Sequence, residues 1–368
     1  MSGSSAVDLT IIGGGIVGLL AAHVARQKRP DWRILLMEQH LVGHGATGAS
    51  AGFDLPYEGS PRKRQLAAVS RKFYAELLAA SPQLPCFEHP LFLIGSSATL
   101  ERMASGLPTA LNEATVEQGE GLRRVFPGLR WREDQQLLWG GQGMWSDVPG
   151  VSAALCDRLK ADPRVRLWEG TEVVGVESDE ESATVRLSDD REVASRRVLV
   201  ATGPWLTEGP GGAAARAAKV RRKKVAAMHV DVPPPPGAPI LLFLDEDAFL
   251  LPTITHRRWL FSFTSQDWDC PVDKGQLRIS AEDRAAALAT LQRHVPAWVA
   301  HCNSGQLFSD AYTADRDPLV AAMPGNPAVV LAGGTCGSGY RLAPGIVLEA
   351  LALLEVGAAR EVAVGATP

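Results

Sequence analysis

The start of the chain constrains its fold most. Asp8-Leu-Thr-Ile-Ile12 is a short apolar run with β-branched residues, and Gly13-Gly-Gly-Ile-Val-Gly18 follows at once. An Ala-rich stretch, Leu19 to Lys28, comes next, and then Trp32-Arg-Ile-Leu-Leu-Met-Glu38. The two apolar runs read as buried parallel strands and the Ala-rich stretch as a helix. Together they make a βαβ unit with G-x-G-x-x-G at its first turn and an acid about twenty residues beyond the last glycine. This pattern predicts a dinucleotide site. Gly13 permits the tight turn, Gly15 lets the backbone approach a pyrophosphate, and Gly18 lets helix and strand pack closely. Ile16 and Val17, inside the glycine turn, are counted in the same site, and the N-terminal N–H groups and positive dipole end of the helix that follows face the phosphates. Glu38 can accept from both ribose hydroxyls, with Gln39 beside it, and would repel a 2′-phosphate.

Two similar segments lie far along the chain. Arg197-Val-Leu-Val-Ala-Thr-Gly203 and Val329-Val-Leu-Ala-Gly-Gly334 read as buried strands ending in glycine, the edge at which open α/β sheets bind ligands. The intervening stretches are strand-rich and lack phosphate signatures. They include strands at 87–95, 220–232, 240–244, 249–252 and 258–264. Helices are expected at 61–78, 100–111, 117–125, 149–161, 280–294 and 344–354. A hairpin is expected from 183–187 and 192–195, a Gly/Ala/Pro-rich connector at 206–219, and a glycine loop at 335–341. The predicted class is α/β with an α+β second domain: a Rossmann-like domain interleaved with an antiparallel-sheet domain. The expected division is 1–85, 141–219 and 305–368 for the nucleotide domain, and 86–140 and 220–304 for the other.

Composition narrows the functions. A net charge of −4 argues against general nucleic-acid or membrane-surface binding. The five cysteines form no C-x-x-C, which speaks against a zinc or dithiol motif and fits a reducing compartment. His229, His256, His294 and His301 show no metal spacing, and no G-x-S-x-G elbow occurs. No signal peptide or membrane span is read, so a cytoplasmic protein is expected. Arg221-Arg-Lys-Lys224 reads as a half-exposed strand face, with an acidic-substrate channel as the alternative. Trp145, Trp205, Trp259 and Trp268 are candidate pocket walls, with core packing as the plainer reading.

Four motifs carry a resemblance over almost the whole chain. They are the Gly13–Gly18 turn with Glu38; Gly45-Ala-Thr-Gly-Ala-Ser-Ala-Gly52; Val200-Ala-Thr-Gly-Pro-Trp205; and Ala332-Gly-Gly-Thr-Cys-Gly-Ser-Gly-Tyr-Arg-Leu-Ala-Pro344. The chain resembles the flavin-dependent amine and D-amino-acid oxidase (DAO) superfamily, in the style of glycine oxidase and monomeric sarcosine oxidase. The resemblance implies FAD, with Val173 near adenine, Ala46 and Thr47 near the pyrophosphate, and Gly337 to Leu342 under the pyrimidine edge. It extends the cofactor set to Gly45, Ser50, Gly52, Thr202, Gly203, Trp205, Gly334, Ser338, Gly339, Tyr340 and Arg341. Covalent attachment is not expected. Ala49 or Ser50 stands where some relatives carry a linking histidine, and Asp310 where others carry a cysteine. Cys336 is read as a packing thiol.

The implied reaction is oxidation of an amine or amino acid to an imine by hydride transfer to flavin N5, with oxygen as acceptor. Tyr340, Arg341 and Asp310 are the candidate catalytic residues. Asp310 lies near the place of an arginine that clamps a substrate carboxylate in many relatives, which points away from plain D-amino acids. Arg341 and Arg316 remain as carboxylate partners, and the phenol of Tyr340 as a group that orients substrate. A 2-hydroxy-acid or alcohol oxidoreductase would instead need His229 or His256 as a base at the flavin. A non-catalytic flavin-binding subunit of a heteromeric oxidase is the third reading. A monomer or homodimer is expected.

Overall fold

The computed structural model describes residues 7–55, 57–106, 111–179 and 181–356. In chain order the elements are β1 (Val7–Ile12), α1 (Ile16–Lys28), β2 (Ile34–Met37), β3 (Phe53–Asp54), α2 (Pro61–Ala80), β4 (Cys86–Ser96), α3 (Ser97–Met103) and β5 (Asn112–Glu113). Then come α4 (Val116–Val125), β6 (Gln135–Ser146), α5 (Val148–Lys160), β7 (Val165–Trp168), β8 (Val173–Ser178), β9 (Ala183–Leu187), β10 (Glu192–Val200) and α6 (Gly212–Ala217). The last are β11 (Arg221–Val230), β12 (Ile240–Phe243), β13 (Ala248–Thr253), β14 (Arg258–Phe263), α7 (Ala281–His294), β15 (Cys302–Tyr312), β16 (Leu319–Met323), β17 (Asn326–Gly333) and α8 (Gly339–Leu353).

The strands form two sheets. The first runs β16-β17-β10-β1-β2-β7, with β8 and β9 attached through β10. Its central pairs β17–β10, β10–β1, β1–β2 and β2–β7 are all parallel. These strands are buried on both faces, which explains their unbroken apolar runs. α1 packs against α5 and α8 over one face. Gly18 lets α1 lie close against β1 and its turn, because a Cβ there would stand 1.9 Å from the Gly13 carbonyl oxygen. The second sheet runs β15-β11-β14-β13-β12-β4-β6-β3, with β5 on β6, and is antiparallel except for β12–β4. Its core joins Phe92, Phe243, Trp259 and Phe261 to α4 and α7 through Leu122 and Leu291, and to the residues just after those helices through Phe126 and Trp298. No helix among the described residues is long and apolar enough to cross a membrane.

Several elements differ from expectation. The segments 192–195 and 197–203 form one strand. β10 first pairs antiparallel with β9 and then continues parallel to β1, so a local hairpin and a central strand share one backbone. The 206–219 connector contains the short α6. The helix expected to reach residue 111 ends at Met103 with one further 3-10 turn to Gly106; residues 107–110 lie outside the described residues. There Gly106 closes on Tyr57 and the Glu58 carbonyl, where a Cβ would come within 2.6 Å of both. β15 had no counterpart in the sequence reading, and it joins the second sheet by pairing with β11 from Arg221↔Tyr312 to Val230↔Cys302. The expected boundaries 140/141 and 304/305 therefore fall inside strands β6 and β15 of that sheet. In the basic run Arg221 is exposed and Arg222 partly so, while Lys223 and Lys224 on β11 are both buried.

α8 begins five residues earlier than expected and carries Pro344 inside it. Proline lacks an N–H, which leaves the carbonyl four residues back without a helical donor. That carbonyl is Tyr340, and the Tyr74 hydroxyl of α2 donates to it at 2.8 Å. The Gly345 N–H donates to Ser70 Oγ, also on α2, at 3.0 Å. A neighbouring helix thus repairs the break that local sequence announces.

Candidate functional site

The C-terminal edge of the first sheet opens into a cavity of about 410 Å³, whose wall also includes Phe308 and Asp310 of β15. The turn after β1 contributes Gly13, Gly15, Ile16 and Val17; the end of β2 contributes Glu38 and Gln39. Gly45, Ala46, Thr47 and Ser50 form the next wall, and Val173, Thr202, Gly203 and Trp205 another. Gly334, Gly337, Gly339 and Tyr340 complete it. Residues some three hundred positions apart thus share one surface.

Five expected cofactor residues do not line the cavity. Gly18 serves the packing of α1. Gly52 has φ +68, and a Cβ there would stand 1.9 Å from the Ser146 carbonyl oxygen. Leu342 is fully buried in the helical core. Ser338 precedes α8 and accepts from Arg341 Nη2 at 2.9 Å. Arg341 points to Glu58, with Nε–Oε1 at 2.7 Å and both side chains nearly buried. His40, Thr171, Glu172, Glu208, Thr335 and Phe308 line the cavity without having been expected. For Phe308 no signal existed: Gln306-Leu-Phe-Ser-Asp-Ala-Tyr312 shows no alternation of apolar and polar residues.

Hydrogen bonding explains how the walls hold. The Thr47 hydroxyl accepts from Ile16 N–H at 3.0 Å, tying the 46–49 turn to the start of α1. Glu38 accepts from Gly14 N–H at 2.8 Å and from His40 N–H at 2.9 Å. Gln306 Nε2 donates to the Ala49 carbonyl at 2.9 Å, and its Oε1 lies 3.1 Å from His229 Nε2. With Ser304 Oγ 3.1 Å from Nδ1, His229 is held at both nitrogens and points its ring at its own strand neighbours. His256 is exposed. Neither histidine lines the cavity.

Two candidate catalytic side chains are engaged elsewhere. The Tyr340 ring is turned into the core, tilted on Tyr74 with centroids 5.0 Å apart and its hydroxyl 3.9 Å from Cys86 Sγ. Its backbone, not its phenol, is the part of the chain that continues the glycine loop. Asp310 accepts from Gly337 N–H at 2.7 Å and from Ala311 N–H at 2.8 Å. Burial pushes its carboxyl up to about 6, against the pull of those two N–H groups and of Lys63. Asp310 is therefore a brace for the glycine loop, not a group aimed at a substrate carboxylate. Of the tryptophans, Trp205 lines the cavity, while Trp145 and Trp259 are core residues.

The cavity fits FAD. Its wall carries carboxylates (Glu38, Glu172, Glu208, Asp310) and, among the described residues, neither lysine nor arginine. A pyrophosphate would therefore be met by backbone N–H groups at the uncapped start of α1. The Thr202 hydroxyl is buried without a partner at this wall. A Cβ on Gly203, at φ +54, would meet nothing within 4 Å. Ala49 and Asp310 offer no histidine or cysteine for covalent attachment. Heat or acid denaturation of flavin-loaded protein is expected to leave yellow supernatant and a colourless pellet; flavin retained in the pellet would show a covalent link.

Comparisons with known proteins agree with this geometry. The family model for FAD dependent oxidoreductase (DAO) matches residues 8–350. Glycine oxidase from Geobacillus kaustophilus superposes with a TM-score of 0.74 at 21% identity, covering 95% of this chain and 94% of that one. Iminodiacetate oxidase from Chelativorans sp. BNC1 gives 0.76 at 19% identity, covering 94% and 95%. L-α-glycerophosphate oxidase from Mycoplasma pneumoniae, solved with FAD bound, gives 0.75 at 17% identity, covering 95% and 94%. These likenesses show the fold. A search of the curated proteins finds no match. With the family model covering nearly the whole chain and a cavity built as FAD requires, the protein belongs to the DAO family of FAD-dependent oxidoreductases.

Proposed function

We propose that the protein oxidises the C–N bond of a primary or secondary amine to an imine, with oxygen as the final electron acceptor. Bound FAD supplies the two-electron acceptor for this chemistry. The chain's own residues supply position and a dry pocket. The α1 N-terminus and the Thr47 turn would hold the phosphates, and the Gly337–Gly339 backbone, braced by Asp310, lines the same cavity. The first sheet with its helices would serve the cofactor, and strand β15 of the second sheet would supply Phe308 and Asp310 to the same cavity.

The observation that carries the choice of an amine is the cavity wall. It offers carboxylates and no lysine or arginine, and the nearby Arg341 is neutralised by Glu58. A substrate held through its own carboxylate meets no lysine or arginine in that wall among the described residues, whereas a neutral amine needs neither clamp nor side-chain base. An alcohol or hydroxy acid needs a base for its hydroxyl proton. His229, held by Ser304 and Gln306, and His256, exposed, do not stand ready for that task.

The test is anaerobic loss of oxidised-flavin absorbance across a panel of amines, glycine, sarcosine, D-alanine, alcohols and 2-hydroxy acids. Simple amines are expected to bleach the flavin fastest. Rapid bleaching by hydroxy acids alone, or efficient turnover of glycine, sarcosine or D-alanine, would overturn the reading.

A further inference from the structure

The basic run Arg221–Lys224 on β11 has an irregularity that only its partners reveal. Arg221 pairs with Asp269 at 2.5 Å, Arg222 with Glu208, and Lys224 with Asp283 at 2.6 Å and Asp267 at 2.9 Å. Lys223 is 7% exposed, and its ammonium has no hydrogen bond or ion pair among the described residues. Its ammonium lies 5.4 Å from the Trp268 ring centroid and 5.5 Å from that of Tyr312. Arg316 reaches the same rings from outside, at 5.7 Å and 5.3 Å. It is exposed, adopts φ +67, and likewise has no acidic partner among the described residues.

The acids nearby are otherwise engaged. Asp310 is the register partner of Lys223, yet its carboxylate turns to the Ala311 and Gly337 N–H groups. Asp247 accepts from the Thr264 hydroxyl at 2.5 Å. Arg221, the third cation over Trp268, already holds Asp269. A buried ammonium and an exposed guanidinium, neither paired with an acid among the described residues, therefore share one aromatic corner. The ring faces offset part of this cost, but less than a carboxylate would, and the two cations repel. Burial and then Arg316 depress the Lys223 pKa, while Asp247 opposes the shift.

We propose that Lys223 and Arg316, set over Trp268 and Tyr312, bind an oxyanion: the carboxylate or phosphate group of a small molecule. The planar guanidinium of Arg316 suits two-point contact with such a group, and the Lys223 ammonium supplies a point charge behind it. Lys223, Arg316 and Trp268 do not line the FAD cavity, so this is a second site. The two sites share a wall, because the Tyr312 hydroxyl stands 3.2 Å from where a Cβ on Gly337 would be.

Isothermal titration calorimetry of the FAD-loaded protein tests this, with inorganic phosphate and acetate titrated separately at constant ionic strength set by chloride. Saturable one-to-one binding of at least one anion is expected. It should weaken about tenfold or more in Lys223→Met and in Arg316→Met. Phosphate alone binding would identify a phosphate-bearing ligand; acetate binding, alone or with phosphate, a carboxylate-type one. Arg316 is exposed, so its variant is expected to keep the fold and FAD content even if Lys223→Met does not. Absence of saturable binding to either anion, or wild-type affinity in Arg316→Met, would overturn the proposal.

Discussion

Gly15→Val is expected to give a folded chain that purifies without FAD. Gly15 caps α1 in an extended conformation and lines the cavity. A Cβ built there meets only the Thr47 hydroxyl, at 3.1 Å, so the protein itself can accommodate a side chain. The valine methyls would instead stand where the backbone must approach a pyrophosphate, and would press on the hydroxyl that accepts the Ile16 N–H. FAD affinity should fall roughly a thousandfold or more, about 4 kcal/mol. Gly13 and Gly18 form the contrast. A Cβ on Gly13 would lie 2.4 Å from the Ala201 carbonyl oxygen, and one on Gly18 would lie 1.9 Å from that of Gly13. Gly18→Val should therefore lose folded protein as well as flavin. The flavin-to-protein absorbance ratio and far-UV circular dichroism separate the two outcomes. Wild-type flavin content in Gly15→Val would place the phosphates elsewhere.

Asp310→Asn is expected to change how stability depends on pH. The Asp310 carboxyl is raised from 3.8 to about 6 in the folded chain. The folded state therefore binds this proton more tightly than the unfolded state does. Its contribution is most favourable below about pH 4, declines as pH rises through 6, and is constant above that. A shift of this size corresponds to about 3 kcal/mol at most. Asparagine cannot titrate, so its Oδ1 keeps an acceptor for the Gly337 N–H at every pH. Relative to wild type, the variant should gain roughly 2–3 kcal/mol between pH 4 and pH 7, on top of a constant offset from the lost Ala311 contact. Urea unfolding of both FAD-free chains across that range measures the difference, and other titrating groups cancel. A difference that stays flat with pH would show that Asp310 titrates normally.

The site divides between what was legible along the chain and what was not. The cofactor half was legible because its requirements are local. The β1–α1–β2 unit, with Gly13, Gly15, Gly18 and Glu38, is one continuous segment whose turn geometry and buried strands leave a direct residue pattern. The glycine-ended strands near Thr202 and Gly334 carry the same local mark. The reacting half was less legible. Strand β15 begins Cys302-Asn-Ser-Gly, a composition with weak strand preference, and its pairing with β11 makes it a strand. That strand puts Phe308 and Asp310 into the cavity wall.

The partners of the polar groups were decided by tertiary structure alone. Asp310 holds Gly337, Arg341 faces Glu58, and Tyr74 serves the carbonyl that Pro344 leaves open. In the run Arg221–Lys224 four similar cations meet different surroundings, and only Lys223 is left without an acid among the described residues. Local sequence sets backbone periodicity and the conformations that glycine and proline allow, and these determine the nucleotide-binding architecture. Which charge is buried, and beside what, depends on groups brought together from distant parts of the chain. Those contacts leave no periodic trace in the sequence, yet they set what the site can bind.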